Sequence, residues 1–259
     1  MDLDLSPYLN PEYQSPSQRT RVVSEPWVAH EFYCASCGSS LTPYRANTPV
    51  YDFYSESCGE KFQLKASKSP IKSKATGAKF DKLWHSILSN SQPSLVLLHY
   101  DRPKWRVRDL TLIHRACITK SCIRRRKPLS DRAERAGWEG CDILLKDIPE
   151  LGKIPVVTEG KVRDKVLVLG QWKQSSKLLG ANPLERGWLS DILRCVERLY
   201  VDFRVSDVYS FEEELARLHP DNRHVKDKIR QQLQRLRDMG ILKPISRGEY
   251  RYLGRQKEP

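Results

Sequence analysis

The stretch TPVYDFYSESCGEKFQLKA, Thr48 to Ala66, decides the fold class of the first half of the chain. Thr48 to Tyr54 and Glu60 to Ala66 are aromatic and apolar runs separated by a polar loop containing Gly59, the pattern of a β-hairpin. Asp52 ends the first predicted strand, while Gln63 and Lys65 stand two apart on the second. Residues i and i+2 of a strand share a face about 6.5 Å apart, so Gln63 and Lys65 converge on one site and Asp52 joins them across the hairpin. A carboxylate with a second oxygen ligand can hold Mg²⁺ against a phosphate, and an ammonium group stabilises charge or orients the attacking water. The trio points to phosphodiester hydrolysis, although an ordinary surface hairpin can carry the same three residues.

Outward from the hairpin, Ser17 to Tyr33 has near-helical apolar spacing at Val22, Val23, Trp27, Val28 and Phe32, with Pro26 set to break or begin a helix. Residues 80–90 read as an amphipathic helix, Ser94 to Tyr100 as a buried strand and Leu110 to His114 as another strand. Strands and helices in this order predict an α/β core with a central mixed sheet.

Periodicity weakens between Gly170 and Arg186, which places a domain connection there and divides the chain into 1–182 and 183–259. Beyond it, Gly187 to Leu199, Ser206 to Leu218 and Arg223 to Met239 read as three helices, with Ser206 and Asn222 as N-caps and Gly240 as a stop. ILKPIS and EYRYL then flank Arg247-Gly248 as a hairpin. Three helices and a hairpin form the winged-helix plan of an α+β domain. In its last helix Val225, Ile229, Leu233 and Leu236 make the buried stripe, and Arg230, Gln231 and Gln234, with His224 and Lys226, make a face suited to base edges. A protein-binding winged helix is the competing reading.

Cys34-Ala-Ser-Cys37-Gly is the turn of a zinc knuckle, in which two thiolates bind one ion. The partner turn reads Ser55-Glu-Ser-Cys58-Gly, so Cys58 is in place and Ser55 stands where a fourth cysteine belongs. His30 or Glu56 is the candidate for the missing Zn²⁺ ligand, against a vestigial knuckle without metal. Cys117, Cys122, Cys141 and Cys195 have no partner at metal spacing.

Among 259 residues, 45 Lys and Arg against 32 Asp and Glu give a net charge of +13, which favours a polyanionic partner. Ten basic residues fall between Arg102 and Lys127, a candidate phosphate track. The N-terminal segment has no apolar run, and an odd count of seven cysteines with a CxxC suits a reducing compartment, so the sequence points to a cytoplasmic protein with no membrane contact.

Asp52 followed by Gln63-Leu64-Lys65 resembles the PD-(D/E)xK nuclease motif, with Val50-Tyr51 in place of the proline before the acid and Gln63 in place of the usual Glu. The segments EPWVAHEFYCASCG, RKPLSDRAERAGWEGCDI, RGWLSDILRCVERL and HVKDKIRQQLQRLRDMGI are similar, in that order, to those of DpnI-type methyl-directed restriction endonucleases. The resemblance implies a PD-(D/E)xK domain with a zinc site followed by a winged helix, acting as a monomer. It implies Mg²⁺-dependent cutting of double-stranded DNA at N6-methyladenine in G(m6A)TC to blunt ends. Trp138, within the resembling RAGW segment, is the candidate apolar wall for the methyl group, against a role in the core. The other class of reading is a non-catalytic reader of methylated DNA or a transcriptional regulator, favoured by Gln63 and Ser55.

Overall fold

A computed structural model describes residues 1–13, 15–45 and 50–254. Its elements are α1 (Pro16–Glu31), β1 (Thr42–Pro43), β2 (Phe53–Tyr54), β3 (Lys61–Ser67), β4 (Lys74–Lys79), α2 (Phe80–Leu88), β5 (Ser94–Asp101), β6 (Arg106–Ile113), β7 (Ile123–Arg125), β8 (Gly140–Leu144), β9 (Lys153–Thr158), β10 (Lys161–Val162) and α3 (Lys165–Ser176). They are followed by α4 (Pro183–Val196), β11 (Asp202–Arg204), α5 (Val205–Tyr209), α6 (Glu212–Leu218), α7 (Val225–Asp238), β12 (Leu242–Ser246) and β13 (Glu249–Tyr252).

The central sheet has the order β1-β2-β3-β5-β6-β9-β10. It is mixed: β3 and β5 run parallel, with Lys65 opposite Leu97, and the other pairs are antiparallel. A parallel pair needs a crossover, which β4 and α2 supply. Because β5 is buried on both faces, it reads as a continuous apolar run. Val96, Leu98 and Tyr100 pack toward α1 and α3 around Trp27, Val28, Val168 and Trp172. Leu95 and Leu97 pack toward α2 and the second sheet, β4-β8-β7, around Leu83, Ile87 and Ile143.

Several expectations are corrected. Helix α1 runs through Pro26; the proline forgoes one backbone bond, and burial of Val23, Trp27 and Val28 on both sides of it holds the helix together. Asp52 does not end a strand but leads into β2, after a turn at Val50 with φ of 78°. Thr48 and Pro49, from which the hairpin was expected to begin, lie outside the described residues. Strand β6 starts at Arg106, four residues early, because exposed Arg106 and Arg108 alternate with buried Val107 and disguise its period. The stretch expected to be a connection holds most of α3, whose buried residues Val168, Trp172 and Ser175 are too few and too polar to make a visible stripe.

The last third has the expected winged-helix order: α4, β11, α5 with α6, α7, then the β12–β13 hairpin, in a sheet ordered β11-β13-β12. The helix expected over Ser206 to Leu218 is broken between α5 and α6, and its cap is not Ser206: the Asp207 carboxylate accepts the Arg204 N–H at 2.7 Å. Asn222 caps no helix directly; its Oδ1 accepts the N–H of His224, the residue that precedes α7. Gly240, at φ of 64°, closes α7, with Gly240 N–H on Arg237 O and Ile241 N–H on Leu236 O. Helix α4 does not belong to one half alone: Trp188, Leu189, Ile192, Leu193 and Val196 join a single core that includes Leu83 and Ile143 on one side and Ile229, Leu233 and Tyr250 on the other.

Candidate active site and nucleic-acid interface

Among the described residues, strand β3 beyond Phe62 pairs with β5 alone, so its other edge carries no strand partner there. A cavity of about 390 Å³ opens between that edge and α1, and Asp52, Gln63 and Lys65 all line it. The hairpin thus brings the three expected residues together. Asp52 Oδ2 accepts the Leu64 N–H at 2.7 Å, a bond that occupies one of the edge donors. Burial raises the Asp52 carboxyl above its usual range, opposed by that N–H and by Lys65 and Arg21. Burial lowers Lys65, opposed by Asp52 and Cys141. Each charge compensates the other's desolvation.

Glu25, which sequence reasoning missed, also lines the cavity from α1, one turn beyond Arg21. Its Oε1 accepts from Arg21 Nε at 2.8 Å. Burial raises its carboxyl, and the charge of Asp52 pushes the same way. The signal that could have found it is the spacing: Ser17, Arg21, Ser24 and Glu25 recur at i, i+4, i+7 and i+8, a polar set on one face of α1. Asp52, Gln63 and Glu25 offer the hard oxygen donors that Mg²⁺ takes, and two of them carry charge, so the residues present fit that ion.

The knuckle pairs two turns of the same geometry. Gly38 N–H bonds Cys34 O at 2.7 Å and Gly59 N–H bonds Ser55 O at 2.8 Å, with both glycines in the left-handed region. Ser55 therefore occupies the vertex equivalent to Cys34. The ligand atoms of Cys34, Cys37 and Cys58 lie within 4.8 Å of one another, and three soft thiols fit an ion such as Zn²⁺. Neither His30 nor Glu56 completes the cluster: His30 stacks on Tyr8, and Glu56 accepts from Thr42. Ser55 Oγ instead lies 3.3 Å from Cys37 Sγ. Burial pushes Cys34 up to about 12. For Cys37 burial works against the thiolate, but the Ser39 and Ser55 hydroxyls outweigh it and hold the thiol near about 6.

Trp138 is half-buried, in the loop joining β7 to β8. Its O accepts the Leu129 N–H and its indole covers Gly140, where a Cβ would meet Cη2 at 2.5 Å. One residue on, Cys141 is within electrostatic reach of Lys65, which links this loop to the cavity wall. Four of the basic side chains of the expected track are already paired: Arg124 and Arg126 reach Asp142 at 3.0 and 4.0 Å, Arg125 reaches Glu139 at 2.9 Å, and Arg115 reaches Glu60 at 3.3 Å.

On α7, Val225, Ile229, Leu233 and Leu236 are buried as expected, together with Gln232. Gln234 and Arg230 are exposed. Arg230 donates to Tyr209 Oη and pairs with Asp227 at 3.3 Å, Lys226 pairs with Glu212 at 3.2 Å, and Gln231 accepts from Lys228. His224 sits at the helix start. The polar face is present, but most of it is held in local pairs.

Among the described residues, no helix is long and apolar enough to cross a membrane. Compared with known families, residues 1–181 match the model of the DpnI, Dam-replacing family, and residues 184–252 match the model of the Dam-replacing helix-turn-helix domain.

Proposed function

Because the chain belongs to the DpnI, Dam-replacing family, we propose that it is a methylation-dependent restriction endonuclease that hydrolyses double-stranded DNA at G(m6A)TC to blunt ends. The observation that carries this reading is the convergence of Asp52, Gln63, Lys65 and Glu25 on one cavity along the edge of β3. In this reading residues 1–182 form a PD-(D/E)xK domain and 183–259 a winged helix that docks on duplex DNA.

Asp52, Gln63 and Glu25 would hold Mg²⁺, which when bound neutralises phosphate charge and activates water. Lys65 faces the same space, where its ammonium stabilises charge developing on the scissile phosphate. Gln63 contributes an amide oxygen without charge, and Glu25 restores the carboxylate that the substitution removes. Trp138 gives the adenine methyl an apolar wall, while Arg230, Gln231 and Gln234, with His224 and Lys226, read the second surface after exchanging their local partners for DNA.

Incubation of the full chain with adenine-methylated and unmethylated plasmid in Mg²⁺ tests this. The expected result is cutting of the methylated plasmid alone, at GATC. Cutting of both would remove the methyl requirement. Binding of methylated duplex without cutting would favour the non-catalytic reader.

A further inference from the structure

The groove along β3 does not stop at the catalytic cavity. A second chamber of about 230 Å³ shares Ser17, Thr20 and Ala66 with the first and continues toward the end of β5. Its charged lining is Arg19, Lys68 and Arg102, with no carboxylate among its walls. Tyr100 and Trp105 stack against one another at 5.5 Å beside it, and Tyr100 is fixed by a 2.8 Å bond to Thr20. Arg19 is aimed by its Nε bond to Tyr13 O, and among the described residues Lys68 and Arg102 have no acidic partner. Three cations around a rigid aromatic floor make an anion site with no carboxylate in its lining.

Its place fixes the kind of anion. β3 ends at Ser67 and Lys68 follows it directly, three residues beyond Lys65 and at most about 10 Å along the strand direction at ~3.3 Å per residue. Successive phosphates of one strand lie farther apart along the backbone than their ~3.4 Å axial rise, so this span covers one or two phosphates. Both chambers open on the same strand edge, so a single polynucleotide backbone can occupy them together. Resting on the nuclease reading above, we propose that Lys68 and Arg102, with Arg19, form a subsite for a non-scissile phosphate of the cut strand, one or two phosphates from the cleaved one. They are positioning residues: they set where along the backbone the cavity falls.

The test uses the full chain and an adenine-methylated GATC duplex. The Lys68→Ala/Arg102→Ala variant is expected to lower the slope of log K against log salt by about 0.9, because the subsite neutralises one phosphate and each neutralised phosphate contributes ~0.9. Lys68→Arg/Arg102→Lys should restore it, separating charge from folding. A neutral methylphosphonate placed one or two positions from the cut should weaken the wild-type chain to a similar degree and weaken the alanine variant no further. An unchanged slope, or losses that add on the variant, overturns the subsite. If the wild-type chain fails to cut methylated plasmid in Mg²⁺, the nuclease reading falls and takes the subsite with it; intact cutting with an unchanged slope removes the subsite alone.

Discussion

The carboxylate of Asp52 accepts the backbone N–H of Leu64 at 2.7 Å, so the acid is oriented by the residue lying between Gln63 and Lys65. All three side chains are therefore anchored to the backbone of β3. Asp52→Asn keeps the shape and removes the charge, and is expected to lower the cleavage rate at saturating Mg²⁺ by ~10²-fold or more, as is Lys65→Ala. Binding of methylated duplex should persist in both variants. A variant that cuts at the wild-type rate would move the chemistry away from this hairpin.

Gln63 and Glu25 give a paired prediction about metal affinity. Gln63→Glu should lower the Mg²⁺ concentration for half-maximal cleavage, because a carboxylate replaces an amide oxygen. Glu25→Gln should raise it, and the double variant should return near the wild type. A Glu25→Gln enzyme with unaltered Mg²⁺ dependence would leave Glu25 as the partner of Arg21 and nothing more.

How far the sequence could be read follows from where each side chain gets its partners. Gln63 and Lys65 are two apart on one strand, and the stripe of α7 repeats within one helix, so local spacing was enough for both. Glu25 comes to the cavity from another element, 27 residues before Asp52, and no local period records that meeting. Pro26 misled because tertiary burial of Trp27 outweighs its lost backbone bond. Ser55 was visible as a departure, but only the matching turns at Gly38 and Gly59 show that it stands at the position equivalent to Cys34.

That position predicts a gain of function for the knuckle. Ser55→Cys should complete a four-thiolate site and bind Zn²⁺ more tightly than the wild type, read by competition with a chromophoric chelator. Thermal stability in the presence of zinc should rise with it. Equal chelator competition by the two chains would mean that Ser55 does not occupy the fourth vertex.

Gly140 sits under the indole of Trp138 with no room for a methyl group. Gly140→Ala should therefore push Trp138 off its seat and lower the preference for methylated over unmethylated plasmid, without adding or removing a polar group. Trp138→Ala should have the same effect. Discrimination that survives both changes would return Trp138 to a structural role.

His114 is buried between β6 and α3, its Nδ1 accepting the Ala116 N–H at 3.1 Å and its Nε2 bonded to Ser176 Oγ at 3.0 Å. Burial, with Arg115 and Arg186 nearby, pushes it down to about 3, so the folded chain keeps it neutral where the unfolded chain takes up a proton. The unfolded state then binds more protons, and stability falls with pH from about 6.5 toward 3, by up to ~1.4 kcal/mol per unit. Denaturant unfolding at pH 7 and pH 5 should show this loss, and His114→Asn should reduce it. Identical pH dependence in the two chains would place the acid sensitivity elsewhere.

The last prediction concerns α4, which both halves of the chain use as core. Asp191, fully buried on it, accepts from Ser121 of the first half at 2.6 Å and lies 2.8 Å from His219 of the second, which stacks on Trp188 at 3.8 Å. Farther along, Arg194 pairs with Asp147 at 2.9 Å, and Glu197 accepts the Glu150 and Leu151 N–H groups and the Tyr252 hydroxyl. A helix buried on both sides cannot be assigned to either half without exposing an apolar face of the other. The full chain should therefore unfold in one transition, and residues 187–259 alone should bind methylated duplex poorly because they lack the surface that covers Leu189 and Ile192. Ser121→Ala removes a donor from a buried charge and should cost ~1–3 kcal/mol of that single transition. Calorimetry of the two full-length chains decides the matter: two separated transitions, only one of them shifted by the substitution, would show independent halves joined by a short connection.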